Sequence, residues 1–462
     1  MAFNPEVFRW ARESAGLEPE VAARAIGIVP TSLMAIEQGE KEPSRTTLSK
    51  MAKVYRRSLL TFYLPMPPRR GDRGEDFRTV VTDRTVEADA DVDALVRGLR
   101  ARQSLVRTVL EDDEDVQPLA FVGSASMNDG VPALAASIER MLGVTRAQYR
   151  AQKDAESAFT LLRERAEDAG VFVLLIGNLG SHHSAIAIEA FRGFAIADRI
   201  APFVVINDGD ARAAWSFTLL HELAHLWLGA TGVSGGGAPE MKIERFCNDV
   251  AGEFLLPRAD VQAINVAGLE LDVQIAVVTD HANRWRVSRQ MVAYGLFKAG
   301  RITLEAWRAL EAGIRERWTA ERRREKDQLK GSSGPSYYVV RRHRLGHAML
   351  EFARHYTDAG ALSPSKAAKV LGVKPRSVYP LLAVATFVPS GEKAAPHTAS
   401  VWPTNCGTPG AGCTCHSSAV LSLLVVATHL PSGEYATPKT ASAWSANIWI
   451  IWPLFTSHSR AV

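Results

Sequence analysis

Cysteine is scarce in this chain of 462 residues: there are four, Cys247, Cys406, Cys413 and Cys415, and the first 246 positions hold none. Disulfides cannot hold the main body together, so a reducing compartment is expected. Long apolar runs are also missing. No stretch reaches 18 uninterrupted apolar residues, and the opening MAFNPEVFRWARESAG lacks a basic segment followed by an apolar one. Neither a membrane span nor a secretory signal is expected. A dominant charge is lacking too, because 54 Lys and Arg stand against 50 Asp and Glu, a formal net charge of +4. That balance excludes a polybasic coat for nucleic acid, and 47% hydrophobic residues exclude disorder throughout. The expectation is a cytoplasmic globular protein with about three domains, at roughly 150 residues each.

Residues 5 to 64 carry apolar positions at helical spacing, broken at Gly16, at Gly27 to Pro30 and at Gly39 to Ser44, which predicts a compact bundle of about five short helices. The linker PMPPRRGDRGED follows. Helical patterns return over Val92 to Leu110, Pro132 to Leu142 and Arg146 to Ala169. Then the period changes: Val171 to Ile176, Phe191 to Ala197 and Phe203 to Asn207 are short apolar runs between Gly and Asp, read as strands of a small sheet. Trp215 to Leu228 and Pro239 to Leu256 read as helices, and residues 258 to 383 as mostly helical, with a charged, solvated face at Glu311 to Lys330. After about Ala383 the segment VATFVPSGEKAAPHTASVW recurs as VATHLPSGEYATPKTASAW, in a tail read as poorly ordered. Two copies are too few for a solenoid. Its Cys413-Thr-Cys415-His416 cluster lacks the spacing of structural zinc sites.

The sharpest signal is His221-Glu222-Leu223-Ala224-His225, an HExxH inside WSFTLLHELAHLWLG. Histidines at i and i+4 on one helix face can direct ring nitrogens at a single Zn²⁺, and the Glu beside them can act as general base. With 12 histidines, a chain of this composition contains on the order of 0.02 such motifs by chance, so coincidence is a poor account. A catalytic zinc needs a third ligand and an open position. In MKIERFCNDVAGEFLLP, Ile243, Phe246, Val250, Phe254 and Leu255 form an apolar stripe that leaves Glu244 and Asn248 on a neighbouring face. Glu244 is the expected third ligand, with Glu240 and Glu253 as competitors, and Asn248 can hydrogen-bond a ligand histidine from behind. His182 and His183, in the loop after the first expected strand, could approach the cleft.

The stretch FRGFAIADRIAPFVVINDGDARAAWSFTLLHELAHLWLG with ERFCNDVAGEFLLP resembles the ImmA/IrrE family of metallo-endopeptidases over about Val171 to Pro257. RWRVSRQMVAYGLFKAGRI resembles that family's downstream helix-turn-helix-like segment, with Tyr294 where an Arg is common. Residues FRWARESAGLEPEVAARAIGIVPTSLMAIEQGEKEPSRTTLSKMAKVY resemble an XRE/Cro-type helix-turn-helix. In the latter, Leu17, Ala23, Ile26, Gly27, Pro30, Leu33, Ile36, Glu37, Gly39 and Pro43 match the framework, whereas Pro19, Val29, Gln38 and Glu40 depart from the usual polar or basic residues.

The resemblance implies an α+β, mostly helical chain: a helix-turn-helix domain (1–65), a linker (66–90), a gluzincin-like zinc peptidase domain (91–260), a helical region (261–383) and the tail (384–462). It implies Zn²⁺ on His221, His225 and Glu244, with Glu222 as general base. It also implies a protein substrate, another helix-turn-helix repressor, cleaved to derepress stress, mobile-element or toxin-antitoxin genes. Operator DNA would be met through residues 1–65, with Thr31, Ser32, Met34, Gln38 and Lys41 as contacts. No membrane partner is expected, and a homodimer is allowed. The competing expectation is a DNA-binding regulator or antitoxin whose metal site is sensory or structural.

Overall fold

The computed structural model describes residues 3–68, 86–180, 184–230, 238–328 and 336–384. The repeated tail with its Cys413-Thr-Cys415-His416 cluster, the core of the linker, and His182 and His183 lie outside the described residues.

The chain opens with helices α1 (Pro5–Glu13), α2 (Pro19–Ile26), α3 (Pro30–Gln38) and α4 (Arg45–Val54), closed by a 3-10 turn at Leu59–Tyr63. Glycine sets one corner of this bundle: Gly27 at φ +78° takes the left-handed conformation that ends α2 and turns the chain into α3. Phe8, Ala23, Ile26, Leu33, Ile36, Leu48, Met51 and Phe62 fill its core. Arg12 and Glu37 tie α1 to α3 through two parallel bonds of 2.8 and 3.1 Å, so Glu37 is a buried structural group and not a DNA-facing one.

Next come α5 (Val86–Glu111), α6 (Val131–Leu142), α7 (Arg146–Arg150) and α8 (Ala155–Asp168). The segment expected as one helix over 146–169 is thus two. Asp154 is the reason, because its side chain accepts from the Ser157 N–H at 2.8 Å and starts a new helix. Strands β1 (Phe172–Leu175), β2 (Gly193–Ile196) and β3 (Phe203–Ile206) form a sheet of order β1-β3-β2, with β1 parallel and β2 antiparallel to β3. Then follow α9 (Arg212–Trp227), α10 (Ala238–Leu255), α11 (Arg258–Gln262), α12 (Leu271–Trp285), α13 (Arg289–Lys298), α14 (Leu304–Gln328), α15 (Tyr337–Asp358), α16 (Pro364–Leu371) and α17 (Val378–Val384).

Both faces of the sheet are covered, which is why its strands read as continuous apolar runs instead of alternating ones. Val173, Leu175, Ala195, Val204 and Ile206 face one core, shared with α6, α8, α9, α10 and residues of α12 to α14. Phe172, Leu174, Phe194, Ile196, Phe203 and Val205 face the other, shared with α5 and α15 to α17. The helices after Pro257 therefore close the two cores around the sheet.

A buried ionic cluster fixes α15 against α8 and β1. Arg163 bonds Glu167 at 3.0 Å and donates to the carbonyl of His343 at 2.6 Å; Glu167 accepts from the backbone N–H of His347 at 2.8 Å. This closeness depends on Gly346, whose φ of +76° breaks α15. A Cβ there would stand 1.9 Å from Glu167 Oε1. Burial alone would raise Glu167, but Arg163 and His347 outweigh it and hold the carboxyl below its ordinary value. Burial likewise opposes charge on His347, yet Glu167, with Asp168 and Glu164, holds it above the usual imidazole value.

Gly346→Ala should lower the unfolding free energy by about 2 kcal/mol or more, read from urea denaturation. A loss below ~0.5 kcal/mol would show that the break tolerates a side chain. His347 has a raised folded-state value, so its stabilisation is complete below about pH 6.5 and is lost as pH rises through that folded value. Wild-type unfolding midpoints should therefore fall across that range, and His347→Gln should flatten the fall. Superimposable pH profiles would refute the coupling.

Candidate metal centre

Helix α9 is apolar around most of its circumference, and it is buried by the sheet on one side and by α6, α8 and α10 on the others. His221 and His225, one turn apart, project on a common face with their Nε2 atoms 3.1 Å apart. Helix α10 packs along α9 and brings Glu244 to the same point. Its Oε2 lies 3.2 Å from His221 Nε2 and its Oε1 3.0 Å from His225 Nε2. Among the described residues these three form the cluster of His, Cys, Asp or Glu that can hold a metal ion. The donor set suits one: two imidazole nitrogens and a carboxylate, at separations near the roughly 3.3 Å edge of a tetrahedron with bonds of about 2.0–2.1 Å. The His225 side chain is 3% exposed, while His221 and Glu244 keep 12% and 21%. The centre therefore opens to solvent on the side of His221 and Glu244.

Glu222, next to His221 on α9, is itself buried, 4% exposed, with its Oε2 lacking a hydrogen-bond partner among the described residues. Burial raises its pKa to about 8, partly countered by His221 and reinforced by Glu244. Burial also acts against the charge of Glu244, but hydrogen bonds from His221 and His225 prevail and hold it at about 2. His221 is raised despite burial through Glu244 and Glu222, whereas burial lowers His225. Cys247, three residues after Glu244, is buried and free, and burial pushes its thiol up. It stays a neutral packing group.

Asn248 lies one turn after Glu244 on α10 and is exposed, and the Nδ1 atoms of both histidines lack hydrogen-bond partners among the described residues. Glu253 lies outside the cluster, and the side chain of Glu240 lies outside the described residues. Sequence reasoning missed Gly193. A Cβ there would fall 2.4 Å from Thr218 Cγ2 and 3.0 Å from Glu222 Oε1, so only glycine lets β2 lie against α9 beside Glu222. The available signal was a glycine within a strand pattern, which marks close backbone approach.

A peptidase-family model, the IrrE N-terminal-like domain, matches residues 181–297, from the loop before β2 to α13. A helix-turn-helix domain model matches residues 6–60. The chain carries an IrrE N-terminal-like domain behind a helix-turn-helix domain. Curated proteins and solved structures yield no match. The IrrE-like match makes this a metallopeptidase-type domain, and it includes His221, Glu222, His225 and Glu244. It also includes α12 and α13, joined through Arg286 in the left-handed conformation at φ +59°, the segment expected to be helix-turn-helix-like.

In the N-terminal domain α2 and α3 meet at 106°, within the range of helix-turn-helix units. Thr31, Met34, Gln38 and Lys41 are exposed and Ser32 is half-buried, with Lys41 Nζ 3.4 Å from Ser32 Oγ. Among the described residues no single helix is long and apolar enough to cross a membrane.

Elemental analysis should find near one zinc per wild-type chain and a clear loss in Glu244→Ala. Equal metal in both proteins would remove Glu244 from the site.

Proposed function

We propose that this chain is a zinc-dependent endopeptidase whose substrate is a helix-turn-helix transcriptional repressor, cleaved to derepress stress, mobile-element or toxin-antitoxin genes. Its own N-terminal residues 1–65 would bring it to operator DNA or to that partner, while residues 91–260 do the chemistry and 261–383 back them. The observation that supports this reading is the convergence of His221, His225 and Glu244 within 3.0–3.2 Å, beside an unpartnered buried carboxylate on the same helix.

Zn²⁺ held by those three residues would supply a Lewis acid, acidifying water toward a pKa of about 7 and polarising a peptide carbonyl. Glu222 then takes a proton from the attacking water and delivers it to the leaving amine. Its buried position suits both steps, because a carboxyl shifted upward by burial binds a proton readily and returns it near neutral pH. Glu222 is not needed to hold the metal. Glu244 stays ionised at about 2 in the protein, as a carboxylate ligand must. Gly193 lets β2 lie close to Glu222.

Glu222→Gln should keep the metal and lower cleavage by about 10²–10⁴-fold. The measurement is mass-spectrometric detection of new N-termini in a mixture of purified helix-turn-helix repressors. Cleavage at the wild-type rate by Glu222→Gln would sink the mechanism. A wild type that holds zinc and cuts none of them would leave the site as a sensory or structural one.

A further inference from the structure

The last described segment repeats the N-terminal helix-turn-helix. Residues PEVAARAIGIVPTSLMAIE, starting at Pro19, align without a gap on PSKAAKVLGVKPRSVYPLL, starting at Pro364. Ala22, Ala23, Gly27, Pro30 and Ser32 recur as Ala367, Ala368, Gly372, Pro375 and Ser377. The backbone repeats as well. Gly372 ends α16 in the left-handed conformation at φ +61°, as Gly27 ends α2 at +78°. Ile28 N–H donates to the Ala23 carbonyl at 3.0 Å, and Val373 N–H donates to Ala368 at 2.9 Å. Ser32 N–H donates to Val29 at 3.0 Å, and Ser377 N–H to Lys374 at 2.8 Å. Val29 and Lys374 sit at φ/ψ of −77/146° and −75/148° before their second helices. The inward faces correspond too: Ala22, Ala23, Ile26, Leu33 and Ile36 are buried, and so are Ala367, Ala368, Leu371, Val378 and Leu381.

The outward faces differ in charge. Residues 19–37 expose Val21, Val29, Thr31 and Met34, with Glu20 and Arg24 as their exposed charges. At the corresponding places the second copy exposes Lys366, Lys374, Arg376 and Tyr379, with Lys369 opposite Arg24, and Pro364 to Val384 contains no acidic residue. Arg341 seats the turn by donating to the carbonyls of Leu371 and Gly372 at 2.8 and 2.7 Å. Beneath the same turn lies Arg102, whose buried Nη1 has no hydrogen-bond partner among the described residues. Burial and the neighbouring Arg341 lower it to about 10, the mark of an uncompensated positive site.

We infer that residues 364–384 are a second helix-turn-helix and the chain's main double-stranded DNA contact, with Lys366, Lys369, Lys374 and Arg376 on phosphates and Tyr379 facing the groove. Duplex DNA is the occupant that this geometry and charge favour: a helix-turn-helix presents its second helix to the major groove, and exposed Lys and Arg neutralise phosphates. The 3-10 turn Pro375–Ser377 runs directly into α17, so the presented element spans Pro375 to Val384.

The test uses the full chain and a fluorescent 24-bp duplex of random sequence, with anisotropy read over a salt series. Lys374→Ala with Arg376→Ala should weaken binding about tenfold or more at low salt and flatten the log–log salt slope by about 1.8, near 0.9 per phosphate contact. The charge-preserving pair Lys374→Arg with Arg376→Lys should keep the slope. An unchanged thermal midpoint shows that charge was lost and not fold. Unaltered affinity and slope in the alanine double variant overturn the proposal, as does a wild type that ignores the duplex or prefers a single-stranded RNA of equal length. None of these readouts involves metal or cleavage, so they stand or fall apart from the peptidase reading.

Discussion

Placing two imidazoles and a carboxylate within 3.0–3.2 Å of one another inside a protein core is the constraint on which this fold depends. Groups of that kind cost several kcal/mol each to remove from water and are tolerated only with partners or a metal ion. The chain answers by surrounding α9 with apolar contacts on every side but one. Leu219, Leu220, Leu223, Ala224 and Leu226 lock the helix, so that its two histidines have no freedom to separate. The three-stranded sheet gives α9 a rigid floor, and the second core on the other side of the sheet keeps that floor covered. Glu222 shares the same burial, and its raised proton affinity follows from the same apolar walls.

What could be read in advance divides along sequence distance. The spacing of His221 and His225 is a property of one helical turn, so their shared face follows from the motif alone. Glu244 was legible less directly, through the apolar stripe of its helix, since nothing local says which of Glu240, Glu244 and Glu253 meets α9. The strands were visible as apolar runs, but their order β1-β3-β2 and mixed direction were not, because short runs buried on both faces carry no alternation to assign a partner. Least legible was the cluster of Arg163, Glu167 and Gly346, whose glycine stands about 180 positions along the chain from the ion pair of α8. Each has an ordinary local role, and only the close approach of α15 to α8 explains a glycine in mid-helix.

The mixed sheet also explains how distant helices serve one site. α8 runs against α9 on one face, while β1 presents its other face to α15. Arg163 crosses between these layers by bonding the carbonyls of both His343 and Arg344, so α15 is tied to the helix that packs beside α9. α15 in turn carries Arg341, which holds the final turn in place.

The two turns at Gly27 and Gly372 separate what a fold requires from what a ligand requires. The alanine pair, the left-handed glycine, the proline and the inward aliphatic residues are common to both, because they satisfy backbone hydrogen bonds and fill a core. The shared glycine and proline are exposed in both copies, but they carry no side-chain donor or acceptor with which to read a nucleic acid. The exposed positions are free to differ, and they do: valine, threonine and methionine in one copy, lysine, arginine and tyrosine in the other. A match to a helix-turn-helix model therefore certifies the first set and is silent on the second. Phosphate neutralisation requires cations on the outer surface, so equal geometry with unequal charge means unequal affinity for DNA. Over the aligned residues, 19–37 expose a single cation, Arg24, beside the acidic Glu20, whereas 364–382 expose Lys366, Lys369, Lys374 and Arg376 with no acidic residue among them.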